Sequence, residues 1–172
     1  MELIAVGLAL SAAPAAAEPK GRDITYRMTS GGLVIEVEGL SLEPKAVPVK
    51  TAKGWIVALS VRATAKDQHA HKLLSPEKGP LMVAAEIVRG DKSERVGDER
   101  KGDDEETLNA GEATTLDRKV QVPVVAGQTL TLNVGLWGLG RDAEERRPVK
   151  KLFVVKMVAG AKKPQPVITP PD

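Results

Sequence analysis

The chain contains no cysteine. That excludes disulfides, a thiol nucleophile, a thiolate-held zinc or iron centre and, within these residues, a lipid-attachment cysteine. Aromatic residues are almost as scarce: Tyr26, Trp55, Trp137 and Phe153 are the only four in 172 residues. A core must therefore be built from Val, Leu, Ile and Ala, and little surface is left for stacking on bases or sugars. Charge of one sign is missing too. Lys and Arg number 25 against 23 Asp and Glu, a formal net charge of +2, with both signs interspersed. No basic stripe exists to track a phosphate backbone, so nucleic acid is not an expected partner. A phosphate-binding G-x-x-x-x-G-K-[ST] loop, a dinucleotide fingerprint and a G-x-S-x-G elbow are also absent, which points away from an enzyme.

What is present suits one domain, since 42% hydrophobic residues in a chain of this length can bury a core without staples. The first residues read "MELIAVGLALSAAPAAAEPKG", with an apolar run over residues 3–10 leading through Pro14 to "AAA". That pattern predicts a secretory signal peptide over residues 1–17, with Ala15 and Ala17 at the two small-residue positions and a mature chain starting at Glu18. The departure is the leading segment, which carries Glu2 and no Lys or Arg. The apolar run is too short to span a bilayer. The expectation is therefore an exported protein, periplasmic or extracellular, with no transmembrane anchor in the mature chain. Removing residues 1–17 leaves 25 basic against 22 acidic residues, and the conclusion about charge stands.

Beyond residue 17 the apolar residues recur at period two. "DITYRMT" and "GLVIEVEG" flank a "TSGG" turn, the signature of a hairpin. "GWIVALSVRAT" puts Trp55, Val57, Leu59 and Val61 on one face, and "QTLTLNVGLWG" does the same with Leu130, Leu132, Val134 and Leu136. "PLMVAAEIVRG" and "VKKLFVVKMVA" add two more strands. "ATTLDRKVQVPV" sets Leu116, Arg118, Val120 and Val122 against Asp117, Lys119 and Gln121. Two stretches, "QHAHKLLSPE" and "GRDAEERRP", could each supply a helical turn. Four prolines in the last nine residues predict an extended tail over residues 161–172 that cannot continue a ladder. Counting gives seven or eight strands in an all-β, antiparallel β-sandwich over residues 18–160. The run "LTLNVGLWG", followed by a charged loop and a last strand, resembles immunoglobulin-like and C2-like Greek-key sandwiches in pattern. Calcium-binding C2 domains place aspartates directly after that strand, where this chain has Gly138, Leu139 and Gly140.

Three constellations could carry function. His69 and His71 are the only histidines, and at i, i+2 on a strand both imidazoles would share a face with Asp67 in phase, a start towards a zinc or copper site. Residues 91–107, "DKSERVGDERKGDDEET", offer Asp98, Asp103, Asp104 and Glu105 as oxygen ligands for calcium. Lys and Arg among them would neutralise the field such a site needs, and the simpler reading is a solvated hairpin loop. Within it, Arg89, Gly90 and Asp91 spell an integrin-recognised tripeptide, a combination of three common residues that arises often by chance. Trp137 falls out of phase with its strand, beside Arg141 and Arg146, where a partly exposed indole would anchor a partner. The expected function is an exported, non-catalytic binding or structural module without a cofactor. It would meet a protein or cell-envelope component through end loops at 89–111 and 138–148. The alternative is a metal-dependent protein built on the histidines or the acidic loop, and possibly an enzyme.

Overall fold

A computed structural model describes residues 22–172; the expected signal peptide lies outside the described residues. Every element among them is a strand. The first hairpin pairs β1 (Ile24–Thr29) with β2 (Gly32–Val37) through the "TSGG" turn. Glu38 and Gly39 follow, both with positive φ, and this is the two-residue turn geometry that matches the twist of paired strands. It delivers β3 (Leu40–Thr51), which pairs along its whole length with β4 (Gly54–Ala65). After β5 (His71–Leu74), β6 (Leu81–Arg89), β7 (Lys92–Val96) and β8 (Glu105–Leu108) come three long strands, β9 (Ala113–Val124), β10 (Thr129–Gly140) and β11 (Arg147–Val158). A short β12 (Val167–Thr169) ends the chain.

Two antiparallel sheets result, one of five strands in the order β1-β2-β3-β4-β9 and one of seven. In the second, β10 pairs with β11 on one side. On the other it takes β6 from Thr129 to Leu136 and β5 at Leu139 and Gly140. β7 extends the β6 branch and β8 the β5 branch. The inner faces meet in one core, with Ile35, Val37, Leu59, Val61 and Leu116 from the first sheet against Leu130, Leu132, Val134, Leu136 and Phe153 from the second. The period-two pattern had put most of these on inward faces. At Gly135 a Cβ would overlap the carbonyl oxygens of Val149 and Lys150, so β11 can approach β10 at the register shift only because that position is glycine.

The all-β antiparallel sandwich stands as expected, with twelve strands among the described residues instead of seven or eight. β3 carries Pro44 and Pro48, which mask it in sequence. Both lie beyond Leu42, where pairing with β2 stops, so the missing N–H groups cost no ladder bond on that side. β5, β7 and β8 are only four or five residues long, too short to show a period. The tail is extended, yet Val167–Thr169 between its prolines pairs with Val154, Val155 and Lys156 and caps the β11 edge. Neither helical turn forms: residues 68–77 hold a bend and β5, and residues 140–148 hold the end of β10, a turn at 141–146 and the start of β11.

Candidate functional site

The chemistry concentrates at one flank of the sandwich, where the first sheet ends in β9 and the second in the β6–β7 hairpin. Ladder pairing between β6 and β7 stops at Ala85 and Val96, and the chain then peels away through Gly97 and Asp98. Beyond that point the Val83 N–H and the Leu81 C=O would have no strand partner. Asp98 accepts from the Val83 N–H at 3.1 Å, and Arg118 of β9 donates to the Leu81 carbonyl at 2.8 Å. The two side chains meet as a bidentate pair, Arg118 Nη1 on Asp98 Oδ2 and Arg118 Nη2 on Asp98 Oδ1 at 2.9 Å. Their side chains are 9% and 5% exposed, so the pair bridges the sheets from inside. Burial alone would raise the Asp98 carboxyl; the hydrogen bonds from Arg118 and Val83 and the charges of Arg118 and Lys78 outweigh it and hold the group below the usual carboxylate range.

One group in this arrangement is left over. The Arg118 Nε–H is buried and has no hydrogen-bond partner among the described residues. Arg118 lines a groove of about 410 Å³ that runs along β9 from Asp117 to Val122. The opposite wall is Val83, Ala85, Val96, Gly97 and Asp98, with Glu77 and Lys78 at one end. Such a volume is in the ordinary range of ligand clefts.

The other acidic candidates do not converge on Asp98. Asp103 faces Arg100 at 3.3 Å on the surface, and Glu105 is shared by Lys72 and Arg146, each at 3.2 Å. Asp104 acts through its backbone carbonyl, which accepts from the Ser75 N–H. Half of the expected solvated loop is strand: residues 92–96 are the exposed β7 and residues 105–108 are β8. Arg89, Gly90 and Asp91 make the exposed tip of the β6–β7 hairpin.

The histidines separate as well. His71 is the first residue of β5 and fully buried, its Nε2 at 2.7 Å from Asp67 Oδ1, whereas His69 sits on an exposed bend outside the strand. The i, i+2 argument fails because the bend over residues 67–69 breaks the pleat before β5 begins. Burial would raise the Asp67 carboxyl, but the His71 hydrogen bond and charge, helped by His69, hold it lowered. Among the described residues no three His, Asp or Glu side chains are grouped to hold a metal ion.

Trp137 is half-buried in β10, its backbone N–H bonded to the Pro80 carbonyl at 3.2 Å. Arg141 is exposed on the 141–146 turn, and Arg146 is drawn back onto Glu105. The structure therefore does not gather Trp137, Arg141 and Arg146 into one patch through a mutual hydrogen bond. The groove beside Arg118 was missed from sequence, although the inward phase of Arg118 among Leu116, Val120 and Val122 was visible there. A charge on the apolar face of a strand was the clue.

No family model, no curated protein and no solved structure matches the chain. Among the described residues no helix is long and apolar enough to cross a membrane.

Proposed function

We propose that this chain is an exported β-sandwich binding module that holds a partner protein at the flank groove beside Arg118. One wall of that groove belongs to the 89–111 segment expected to carry contacts, so the reading moves the contact from the ends of the sandwich to its side. The observation that carries it is the pairing of an open cleft with a buried, unpartnered donor. Arg118 Nε is buried and has no protein partner among the described residues, and an acceptor brought by a partner would satisfy it. A binding role is favoured over a catalytic one because the buried titratable groups Asp98 and His71 are bonded into the fold, to Arg118 and Asp67. Export is supported by the apolar run and the small-residue positions Ala15 and Ala17.

In-cell photo-crosslinking tests the binding reading. A photoreactive residue at Gln121, exposed on the groove strand, is expected to capture a defined protein partner, and one at Glu43 on the outer face of β3 is expected to capture none. Capture at neither Gln121 nor Arg141 overturns the module reading; capture at Arg141 alone returns the contact to the end loops. Export is tested separately by N-terminal sequencing of the protein recovered outside the cytoplasm, with Glu18 as the expected first residue.

A further inference from the structure

We infer that the groove is a strand-addition site, in which an extended peptide segment of the partner pairs antiparallel with the free edge of β9. This rests on the binding-module reading and specifies its ligand. Among the described residues β9 ends its sheet and pairs only with β4. The bond from the Ala65 N–H to the Glu112 carbonyl sets the phase of that ladder: Thr64 and Ala113 are a non-hydrogen-bonded pair. Leu116, Arg118 and Val120 therefore exchange their bonds with β4, while Thr115, Asp117 and Lys119 turn N–H and C=O outward.

The groove covers part of that outward row and leaves part open. Gly79 lies against the Asp117 carbonyl, where a Cβ would be in ordinary contact at 3.5 Å, and the turn at 77–79 borders one end. From Lys119 onward the edge faces the cleft. A strand antiparallel to β9 would enter at Val122 and end beneath that turn. Its side chains would meet Val83, Ala85 and Val96, the last an exposed large hydrophobic at 38%. Antiparallel addition is the more stable ladder, and main-chain bonds supply affinity while pockets for alternate side chains supply selectivity.

Charge narrows the ligand. Lys78, Arg118 and Lys119 are balanced by Glu77, Asp98 and Asp117 around the cleft, which suits a segment of low net charge and neither a phosphate backbone nor an anionic membrane. Arg118 is an inward-pointing charge on an edge strand, a feature that deters indiscriminate edge pairing. An oxygen acceptor on the strand, from a side chain or a chain-terminal carboxylate, suits the Lys78, Arg118 and Lys119 cations that line the cleft. A second copy of this chain fits less well, because β9 pairing with itself about Arg118 would need the Asp117 carbonyl that Gly79 covers.

The test uses a library of random eight-residue peptides displayed with free C-termini and panned on the full chain. Enriched sequences are then synthesised as free acid and as amide, and amide exchange is followed by NMR. Strand addition predicts slowed exchange at the Lys119 amide. It also predicts at least a tenfold loss of affinity in Lys119→Pro, which removes that donor, and in Val96→Arg, which fills the cleft from an exposed position and spares the fold. A gap between acid and amide identifies a terminal carboxylate as the acceptor; equal binding identifies a side chain. Peptides that bind but protect only other amides, such as those of the 141–146 turn, overturn strand addition and leave the module reading intact. No enrichment above background overturns it as well, as does Lys119 protection appearing without peptide in a concentration-dependent dimer.

Discussion

The two flanks of the sandwich are closed by different chemistry. On the β1 side the Tyr26 hydroxyl donates to the Leu152 carbonyl of β11 at 2.7 Å, and Arg22 donates to the carbonyls of Leu139 and Arg147 at 2.6 and 2.9 Å. There β12 covers the β11 edge as an added strand. On the β9 side no strand among the described residues closes the gap, and one buried ion pair spans it with a donor to spare. The contrast shows where a sandwich of this kind can hold a ligand. The β1 flank is fastened by side-chain donors on backbone carbonyls and by the Arg22–Glu38 ion pair, whereas the β9 flank is spanned by a buried charge pair beside an open groove.

Breaking the charge pair should have the largest effect. Asp98→Ala or Arg118→Ala leaves the partner charged and buried, which costs about 3–5 kcal/mol. Replacing both by Leu should recover most of that loss, since apolar residues of similar volume can substitute for a buried pair. Urea unfolding of the four proteins measures this, and a single variant within 1 kcal/mol of wild type would remove the staple argument. Acid probes the same flank. Because the Asp98 carboxyl is held low in the folded protein, its contribution is complete above the unfolded value, about 4, and is lost as pH falls from there through the folded value. The gap in stability between wild type and Asp98→Ala should accordingly shrink below pH 4.

Removing the tail after Gly160 should turn the closed flank into an open one. It unpairs Val154, Val155 and Lys156 on β11 and uncovers Ile168's packing site, a loss of about 2 kcal/mol by the usual scale for burying one aliphatic side chain. An exposed ladder edge also invites self-pairing. Thermal unfolding combined with sedimentation would show both, and an unchanged melting point would mean that β12 merely rests on the sheet.

The same contrast explains what the sequence disclosed. Long strands with one buried face, such as β4 and β10, announce themselves by alternation, and their inward residues were readable. Short strands do not, because β5, β7, β8 and β12 contain too few residues to repeat a pattern. The two prolines of β3 mask it in the sequence, and they are harmless because pairing with β2 stops at Leu42. At the candidate site, Arg118 was legible as a charge on an apolar face, but its partner lies 20 residues away in a segment whose many acids looked alike. Only the point at which β7 leaves β6 distinguishes Asp98 from Asp103 and Asp104.

The smallest change sharpens the comparison from the other side. Tyr26→Phe removes the hydroxyl that reaches Leu152 and keeps the ring, so the expected loss is about 1 kcal/mol, the net value of one hydrogen bond. Burial raises the Tyr26 hydroxyl above its ordinary value near 10. A raised folded value means that the contribution is complete below the unfolded value and is lost only as pH climbs through the folded one. The wild type and Tyr26→Phe should therefore differ by a constant amount from pH 5 to 9 and converge in alkali, the opposite direction to Asp98. Convergence in acid instead would place Tyr26 under the control of the charge pair across the sandwich and make the two flanks one coupled unit.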